Sequence, residues 1–264
     1  MEKKELSQKV AIVTGGGKGL GKAIALELAG RGATVVVADV DNSAGSEVRK
    51  TIEVSAGKSL FVPCDLRKEN SVKDMVKKAV SVFSKIDILV NNAGIGRVAL
   101  LWETPTEVWD DIMNVNLRGS YLCIKHTVPR MMEYKSGCII NISSGLGRQA
   151  QALMGAYAIS KAGQIAMTVA LAKETAAFGI RVNAVCPGPV ETPWWDENRK
   201  SLSDILGVRE DEVINWFTQN RQAIKKSLKP DDIAGAVCWL ASEEASMMTG
   251  QAISIDGGHE FPTY

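Results

Sequence analysis

Residues 9–30 read KVAIVTGGGKGLGKAIALELAG and combine three local signals. A β-branched apolar run ends at Thr14, a glycine-rich turn follows, and apolar residues then recur with the 3.6-residue period of a helix. Glycines in such a turn permit a tight bend and close approach of a ligand to the backbone. The first turn of a helix offers free amides and a positive dipole end to a phosphate. The stretch therefore predicts a strand, a phosphate-binding turn and a helix.

Six further β-branched runs, bounded by glycine or polar residues, extend this pattern along the chain: 33–39, 59–65, 87–94, 137–144, 181–188 and 251–258. Segments with helical periodicity lie between most of them. Strands that are apolar throughout and alternate with helices indicate a parallel sheet covered on both faces through right-handed crossovers. We therefore predict an α/β fold with a doubly wound, seven-stranded parallel sheet, forming one domain over 1–264. The long crossover at about 192–229 is expected to be a substrate loop or lid.

The charge balance argues for a small partner. Lys plus Arg number 31 and Asp plus Glu 30 among 264 residues, so no net field favours nucleic acid or an anionic membrane. The sequence opens with charged residues, and no run approaches the roughly 18 apolar residues of a spanning helix. We expect a cytoplasmic protein that acts on a small molecule.

Metal chemistry and disulfides are not expected from the cysteine and histidine pattern. The five cysteines are scattered without a CxxC pair, and only His126 and His259 can supply imidazole.

The glycine-rich turn matches two nucleotide-binding patterns imperfectly. Read from Gly16, it resembles the hydrolase loop GxxxxGK(S/T), but Ala23 stands where a hydroxyl should bind magnesium. Read from Thr14, it is TGxxxGxG, which also differs from GxGxxG. The second strand ends at Asp39, where an acid accepts hydrogen bonds from the adenosine ribose and repels a 2′-phosphate. A purely structural glycine turn, and an Asp39 that only shapes the following turn, remain alternatives. Together the two features favour a dinucleotide over a nucleoside triphosphate.

Tyr157 and Lys161 stand four residues apart in the helical segment GAYAISKAG (155–163) and so share one helix face. A tyrosine with a pKa of about 10 is a poor base at neutral pH, but a neighbouring cation favours its phenolate. The pair is a candidate acid/base. The alternative is a chance contact of a surface lysine with a half-buried tyrosine.

Eight motifs occur in an order that resembles the short-chain dehydrogenase/reductase family over residues 7–258. They are TGGGKGLG (14–21), Asp65, NNAG (91–94), the Asn116 of NVNLRG, Ser144 of NISS, YAISK (157–161), PGPVET (187–192) and the closing DGG (256–258). The resemblance implies a Rossmann-type sheet, a nicotinamide dinucleotide and a catalytic set of Ser144, Tyr157, Lys161 and Asn116. Ser144 is preferred to Ser143 because it lies thirteen positions before Tyr157, the spacing that the family uses.

The resemblance also implies roles for these side chains. Tyr157 is expected to act as the acid/base, Lys161 to lower its pKa, Ser144 to hold the reacting oxygen, and Asn116 to anchor a water that connects Lys161 to solvent. Lowering the pKa of a tyrosine from about 10 towards 7 takes about 4 kcal/mol, more than one exposed ion pair supplies. Lys161 is therefore expected to be assisted by the positive nicotinamide ring and by exclusion of water.

The cofactor contacts that the resemblance implies come from each strand end and from the catalytic helix: Gly15, Gly17, Lys18, Gly19, Leu20, Gly21, Asp39, Val40, Asp65, Leu66, Asn92, Ala93, Gly94, Tyr157, Lys161, Pro187, Gly188, Val190 and Thr192. Asp39 favours NAD. Lys18 is the one feature that would assist a 2′-phosphate, so NADP is the less expected cofactor.

The substrate contacts are predicted from the crossover and from the catalytic strand ends: Ser144, Gln151, Trp194 and Trp195. Val213, Phe217, Ile224 and Leu228 lie on a rough helical stripe, which is more typical of packing than of a pocket. Arg97 and Arg148 are either anchors for a polar or anionic substrate or solvated loop residues.

The function expected from the resemblance is an NAD-dependent oxidoreductase that interconverts a secondary alcohol, polyol or diol and its ketone. A 3-oxoacyl-thioester or hydroxysteroid reductase is the alternative within the family. A non-catalytic dinucleotide-sensing or scaffold protein is an alternative of another class, although it would be expected to lack Tyr157 or Lys161. Apolar faces on the helix around 155–172, on DDIAGAVCWLA (231–241) and on the last strand predict a homotetramer.

Overall fold

The computed structural model describes residues 5–55 and 57–259. Within these residues the seven predicted strands all form. Six are shorter than their apolar runs, and β6 is as long as its run but begins one residue earlier: β1 (Val10–Thr14), β2 (Thr34–Asp39), β3 (Ser59–Pro63), β4 (Ile88–Asn91), β5 (Gly137–Ile142), β6 (Ile180–Pro187) and β7 (Ala252–Ile255). They build one sheet in the order β3-β2-β1-β4-β5-β6-β7, and every pairing is parallel. The predicted doubly wound sheet is confirmed.

Helices occupy the connections between strands: α1 (Gly19–Gly30), α2 (Asn42–Val54), α3 (Glu69–Phe83), α4 (Thr106–Ile112), α5 (Gly119–Tyr134), α6 (Gly145–Arg148), α7 (Gly155–Thr175), α8 (Trp194–Leu206), α9 (Val213–Arg221) and α10 (Pro230–Ala241). Between α4 and α5 the chain forms a π-helical turn at Met113–Arg118. Such turns are rare and often lie at functional sites.

Alternate residues of each strand point to opposite faces of the sheet, and both faces are covered. Ala11 and Val13 of β1 belong to a core formed with α1, α2 and α10, whereas Val10 and Ile12 belong to a core formed with α3, α5 and α7. All four of these side chains are buried. Burial on both faces explains why the strands read as continuous apolar runs and not as alternating ones.

The strand order reverses between β1 and β4, so the crossovers leave β1 and β4 in opposite directions. In open parallel sheets such a switch point leaves a crevice at the carboxyl ends of the strands, which is where ligands bind. The glycine-rich turn after β1 and the NNAG segment at the end of β4 therefore flank the crevice.

The crossover at 192–229 carries α8, α9 and a short 3-10 turn at Glu210–Glu212. The predicted helical stripe is wrong in its second half, because α9 ends at Arg221 and excludes Ile224 and Leu228. The backbone of 222–224 instead pairs with the segment after β7: the Ala223 amide donates to Gly258 O at 3.1 Å and the Ile224 amide to Gly257 O at 2.9 Å. Ile224 is accordingly 63% exposed and lies outside α9.

The five cysteines are all reduced and buried: Cys64, Cys123, Cys138, Cys186 and Cys238. Burial raises the pKa of every one of these thiols. In the described part of the chain, no three His, Cys, Asp or Glu side chains are grouped so as to hold a metal ion. No helix of residues 5–55 and 57–259 is long and apolar enough to cross a bilayer.

Candidate active site

Ser144, Tyr157 and Lys161 meet at the carboxyl end of β5. Ser144 lies two residues after β5 and begins α6, where its Oγ accepts a hydrogen bond from the Leu146 amide at 3.1 Å. Tyr157 lies in the first turn of α7, where the neighbouring Ser144 side chain acts to lower the pKa of its hydroxyl. Lys161, one turn further along α7, has its Nζ 5.6 Å from the centroid of the Tyr157 ring. The structure thus brings three of the four predicted catalytic side chains together.

Tyr157 and Lys161 do not form a simple phenolate–ammonium pair, because burial shifts the pKa of each towards its neutral form. Burial raises the pKa of Tyr157 to about 12, and the hydrogen bond with Ser144 opposes this rise. Burial lowers the pKa of Lys161 to about 7, because removing the ammonium from water disfavours its charged form. The protein's own groups therefore leave Tyr157 protonated at neutral pH.

Two neutral oxygens accept hydrogen bonds from the Lys161 ammonium. Its side chain is 2% exposed, and Nζ donates to Ile142 O at 2.7 Å and to Gln164 Oε1 at 3.0 Å. The same Nζ lies 3.2 Å from the place that a Cβ would take on Gly94, so the remaining side of the ammonium faces the NNAG segment. A side chain at position 94 would intrude between Lys161 and the crevice.

Gln164 is a site residue that the sequence analysis missed. It is fully buried, and its Nε2 donates to the Asn116 main-chain oxygen at 3.0 Å and to Ser120 Oγ at 2.8 Å. The signal was present in the sequence, because a glutamine three residues after Lys161 lies on the same helix face. It was overlooked because its neighbours are apolar and the segment reads as packing.

Asn116 lies in the π-helical turn and fastens the loop after β4. Its Oδ1 accepts from the Ile95 amide at 2.8 Å, while Nδ2 donates to Ile95 O and to Ser160 Oγ, both at 2.9 Å. The Asn116 main-chain oxygen accepts from Ser120 Oγ at 2.7 Å as well as from Gln164. Two protein donors thus occupy the two lone pairs of this carbonyl, and the water-anchoring role of Asn116 stays a prediction.

The glycine-rich turn is shaped by close backbone approaches. Gly15 adopts a φ of +61°, and a Cβ on Gly21 would stand only 2.0 Å from Gly15 O. Asn92 Nδ2 donates to Thr14 O at 2.9 Å and to Gly15 O at 3.2 Å, which ties the turn to the end of β4. Across the crevice, a Cβ on Gly19 would lie 3.2 Å from Pro193 and 3.5 Å from Thr192. The turn therefore forms a side-chain-free cradle that fits a diphosphate lying against backbone amides.

Asp39 and Lys18 are both close to the turn, but they face different partners. Asp39 Oδ2 accepts from the Gly17 amide at 2.8 Å and Oδ1 from the Asp41 amide at 2.9 Å. Lys18 Nζ lies 2.6 Å from Asp41 Oδ2, and this hydrogen bond lowers the pKa of Asp41. Asp41, and not Asp39, caps α2, while Val40 between them is exposed. The structure thus directs the lysine to Asp41.

The predicted adenine and carboxamide positions lie at the next strand ends. The Asp65 carboxylate pairs with Arg67, whose hydrogen bond holds the pKa of that carboxyl below its usual range, and Leu66 is buried. Val190 is buried and bridges to Leu228, and its carbonyl accepts from Trp195 Nε1 at 2.7 Å.

The remaining predicted cofactor positions lie after β1, after β4 and at the end of β6: Leu20, Ala93, Pro187 and Gly188. Their contacts with a cofactor, like those of Asp65, Leu66 and Val190, stay predictions.

Of the predicted substrate residues other than Ser144, Trp194 contacts the ring of Tyr157. Its ring centroid is 6.0 Å from that of Tyr157, and a Cβ on Gly96 would touch both rings, at 2.9 Å from Tyr157 and 3.1 Å from Trp194. Trp195 packs edge-on against Trp194 at 5.2 Å and then against Phe217. A continuous line of aromatic contacts runs from Tyr157 into α9. Gln151 is half-buried in the segment before α7, and its contact with a substrate stays a prediction.

The two candidate anchor arginines are engaged elsewhere. Arg97 pairs with Glu197 of α8, and Asn198 Oδ1 accepts from the Val98 amide at 3.2 Å, so the loop after β4 is fastened to the crossover. Arg148 donates to Ala252 O at 3.0 Å and to Ser254 Oγ at 3.2 Å on β7. Neither cation points to an anionic substrate in this arrangement.

A parallel doubly wound sheet with serine, tyrosine and lysine at the carboxyl end of β5 is typical of a class of oxidoreductases that use a nicotinamide dinucleotide. A family model described as enoyl-(acyl carrier protein) reductase matches residues 15–260. A short-chain dehydrogenase/reductase of Armillaria gallica is 40% identical over 96% of each chain. The chain belongs to the short-chain dehydrogenase/reductase family.

Two other relatives carry more specific names. A 3-oxoacyl-(acyl-carrier-protein) reductase of Thermotoga maritima is 38% identical over 96% of this chain and 98% of its own. Subunit BbsD of a hydroxy(phenyl)methyl-succinyl-CoA dehydrogenase from Thauera aromatica is 37% identical over 96% of this chain and 97% of its own. This protein is similar to both.

Proposed function

We propose that the protein is an NAD-dependent dehydrogenase that interconverts a small secondary alcohol, polyol or diol and its ketone. The observation that carries the proposal is the grouping of Ser144, Tyr157 and Lys161, with the Lys161 ammonium 5.6 Å from the centroid of the Tyr157 ring. Oxidation of an alcohol requires a base within hydrogen-bond reach of the hydroxyl proton, and Tyr157 is the titrating group in that place. A non-catalytic scaffold would have no need for this set.

A bound NAD would supply the acceptor for the hydride that leaves the carbinol carbon. Ser144 positions the substrate oxygen by a hydrogen bond, and Tyr157 takes the hydroxyl proton from it. For this step the pKa of Tyr157 must fall far below about 12, its value with the protein groups alone. Lys161 supplies part of that fall when it is charged, and the positive ring of the oxidised nicotinamide adds to it. In the reduction of a ketone Tyr157 returns the proton.

The preference for NAD is supported by Asp39 and by the pairing of Lys18. A 2′-phosphate at the end of β2 would lie beside the Asp39 carboxylate, and like charges at a few ångströms repel strongly where water is partly excluded. Lys18, which would offset this repulsion, bonds Asp41 at 2.6 Å. Binding a 2′-phosphate would thus require Lys18 to leave its partner.

The size of the substrate is proposed from the position of Trp194. Its indole lies over Gly96 and beside Tyr157, which narrows the space above the catalytic hydroxyl and favours small alcohols over steroids. We further propose that the crossover at 192–229 acts as the lid, since Arg97–Glu197 and Asn198 hold it against the loop after β4.

A 3-oxoacyl-thioester reductase is the second candidate. It is favoured by the names of two relatives, one an acyl-carrier-protein reductase and the other a CoA-thioester dehydrogenase, each about as similar as the other.

The deciding experiment follows nicotinamide absorbance with purified protein, with NAD and NADP in parallel. The panel contains vicinal diols, polyols, cyclic alcohols, hydroxy acids, steroids and 3-hydroxyacyl thioesters, and Tyr157→Phe is run on each as a control. Turnover of small secondary alcohols with NAD supports the first candidate, and turnover confined to thioesters supports the second. Absence of turnover on all substrates would contradict the catalytic proposal.

We propose that the protein is cytoplasmic and forms a homotetramer. Both features are supported by membership of the short-chain dehydrogenase/reductase family.

A further inference from the structure

We propose that Gln164 is a positioning residue that holds the Lys161 ammonium in place and keeps it charged. The proposal extends the mechanism above, in which Lys161 acts on Tyr157. Gln164 itself lies behind Lys161 and touches no reacting atom.

The orientation of the Gln164 amide is fixed by its surroundings. Nε2 donates to Asn116 O at 3.0 Å and to Ser120 Oγ at 2.8 Å, so both of its hydrogens are used. Because the amide is anchored through its nitrogen, its Oε1 must face Lys161, where it accepts from Nζ at 3.0 Å. A flipped amide would place an N–H against the ammonium and an oxygen against the Asn116 carbonyl. The observed orientation is therefore the only one that satisfies all three contacts.

This oxygen is one of two acceptors that oppose the cost of burying the ammonium. The other is the Ile142 carbonyl at the end of β5, at 2.7 Å. The titratable groups that face Lys161 are Tyr157 on its own helix and Cys186 on β6, whereas the π-helical turn and α5 present the neutral Asn116 and Ser120. Among the residues that the structure describes, no carboxylate acts on the pKa of Lys161. Neutral hydrogen-bond acceptors must therefore stabilise the positive charge of Lys161, as a carboxylate counter-ion does at an exposed lysine.

Gln164 also links Lys161 to the Asn116 carbonyl through protein atoms alone. A side-chain amide holds both groups at fixed distances, whereas a water molecule in that place would exchange with solvent. Protein atoms thus separate Lys161 from solvent on the side of Gln164, and the other side of its ammonium faces Gly94 and the crevice. The arrangement aims the one remaining N–H at the place where Tyr157 and the cofactor meet.

The test measures the charge of Lys161 directly. The ¹³Cε resonance of Lys161, assigned by its loss in Lys161→Met, is followed against pH in protein labelled at lysine Cε. Wild-type Lys161 is expected to titrate near pH 7, as burial predicts. Gln164→Met keeps the side-chain length and removes the acceptor, so Lys161 should titrate at least about one pH unit lower, the effect of losing a hydrogen bond to a charged group.

Two further variants control for general damage to the helix. Thr168→Val lies one turn along α7 and removes a buried hydroxyl that bonds Gln164 O and Asn141, so it should lower the melting temperature and leave the Lys161 titration unchanged. Gln164→Glu places a carboxylate against the ammonium and should raise the titration above the wild-type value. If Gln164→Met does not fold, the titration of Lys161 in Gln164→Glu tests the proposal instead. Lys161 titrating at the wild-type pH in the folded Gln164 variants would overturn the proposal.

Activity gives an independent readout. In Gln164→Met the acid limb of kcat/KM for alcohol oxidation should move to higher pH, because a less charged Lys161 supports the phenolate less. The KM for the alcohol should change little, since Gln164 does not contact the substrate. If the wild type oxidises no alcohol, the proposed function fails while the resonance titration still decides the role of Gln164.

Discussion

The Asp39 carboxylate is fastened to the glycine-rich turn, because its Oδ2 accepts from the Gly17 amide at 2.8 Å. A Cβ on Gly17 would stand 2.9 Å from that same oxygen, so the approach depends on glycine. The acid at the end of β2 and the turn after β1 therefore form one unit, and we propose that this unit selects the cofactor.

Replacement of Asp39 tests this unit. The wild type is expected to prefer NAD over NADP by at least about tenfold in kcat/KM, equivalent to about 1.4 kcal/mol. Asp39→Ser should erode the preference mainly by admitting NADP, since it removes the repulsion and leaves Lys18 in place. Glu47→Gln is the matched control, because it removes an acid on α2 that pairs with Lys22 away from the crevice. Steady-state kinetics with both cofactors would contradict the prediction if the Asp39→Ser preference does not move.

The Tyr157→Phe variant should lose at least about a hundredfold in kcat, the low end for loss of a positioned acid/base. It keeps the ring that packs against Trp194, so NAD binding followed by fluorescence should persist. Tyr134→Phe removes a hydroxyl that bonds Ser84 O at the end of α5 and should keep full activity. Near-wild-type turnover by Tyr157→Phe would show that another group is the base.

Lys161 gives a pH dependence of stability whose sign follows from its burial. Its pKa is about 7 in the folded chain against an ordinary 10.5, so between these values the unfolded chain binds a proton that the folded chain does not. The unfolding free energy therefore rises with pH across this window and is constant with respect to this group on either side. Relative to Lys161→Met, the wild type should gain stability from pH 7 to about 10.5. Urea denaturation at pH 6, 8 and 10 measures the difference, and a difference independent of pH would refute the assignment.

We predict a homotetramer because the single chain exposes apolar and aromatic side chains to solvent on α5 and α7. Val169 and Ile159 of α7 and Tyr121 of α5 are 38%, 43% and 48% exposed. Light scattering should report a mass near four times 28.4 kDa. Val169→Glu should dissociate the assembly by burying a charge in an apolar contact, whereas Val54→Glu, at a position that is 88% exposed on α2, should not. A wild type of only 28.4 kDa at micromolar concentration would exclude a tetramer.

Trp194 is predicted to set the upper size of the substrate. Trp194→Ala should raise kcat/KM for bulky secondary alcohols relative to small ones by at least about tenfold, a change typical of a reshaped apolar pocket. Trp216→Ala removes an indole of the same size that packs on Phe217 and not on Tyr157, and should leave the ratio unchanged. Equal ratios in the two variants would place Trp194 outside the substrate pocket.

The sequence predicts the strands well, because burial on both faces leaves uninterrupted apolar runs that local patterns identify. It also predicts Ser144, Tyr157 and Lys161, whose spacing is local or typical of the family. It does not predict that α9 ends at Arg221, since the following backbone pairs with a segment more than thirty residues away. Gln164 lies three residues after Lys161, but apolar neighbours hid this local signal, and only its contacts with Asn116 and Ser120 in the π-helical turn and α5 distinguish it from a packing residue. A local sequence pattern does not indicate features that depend on where distant segments of the chain meet.

The burial of all five cysteines makes the folded protein a convenient host for chemical labels. Only a thiolate reacts readily with maleimides, and thiols that are both buried and raised in pKa present very little of it. A single cysteine introduced at an exposed position of α8, such as Lys200→Cys, would therefore take a dye without removal of the native thiols. A dye there would report movement of the crossover, and slow labelling of the native five would count the molecules that unfold.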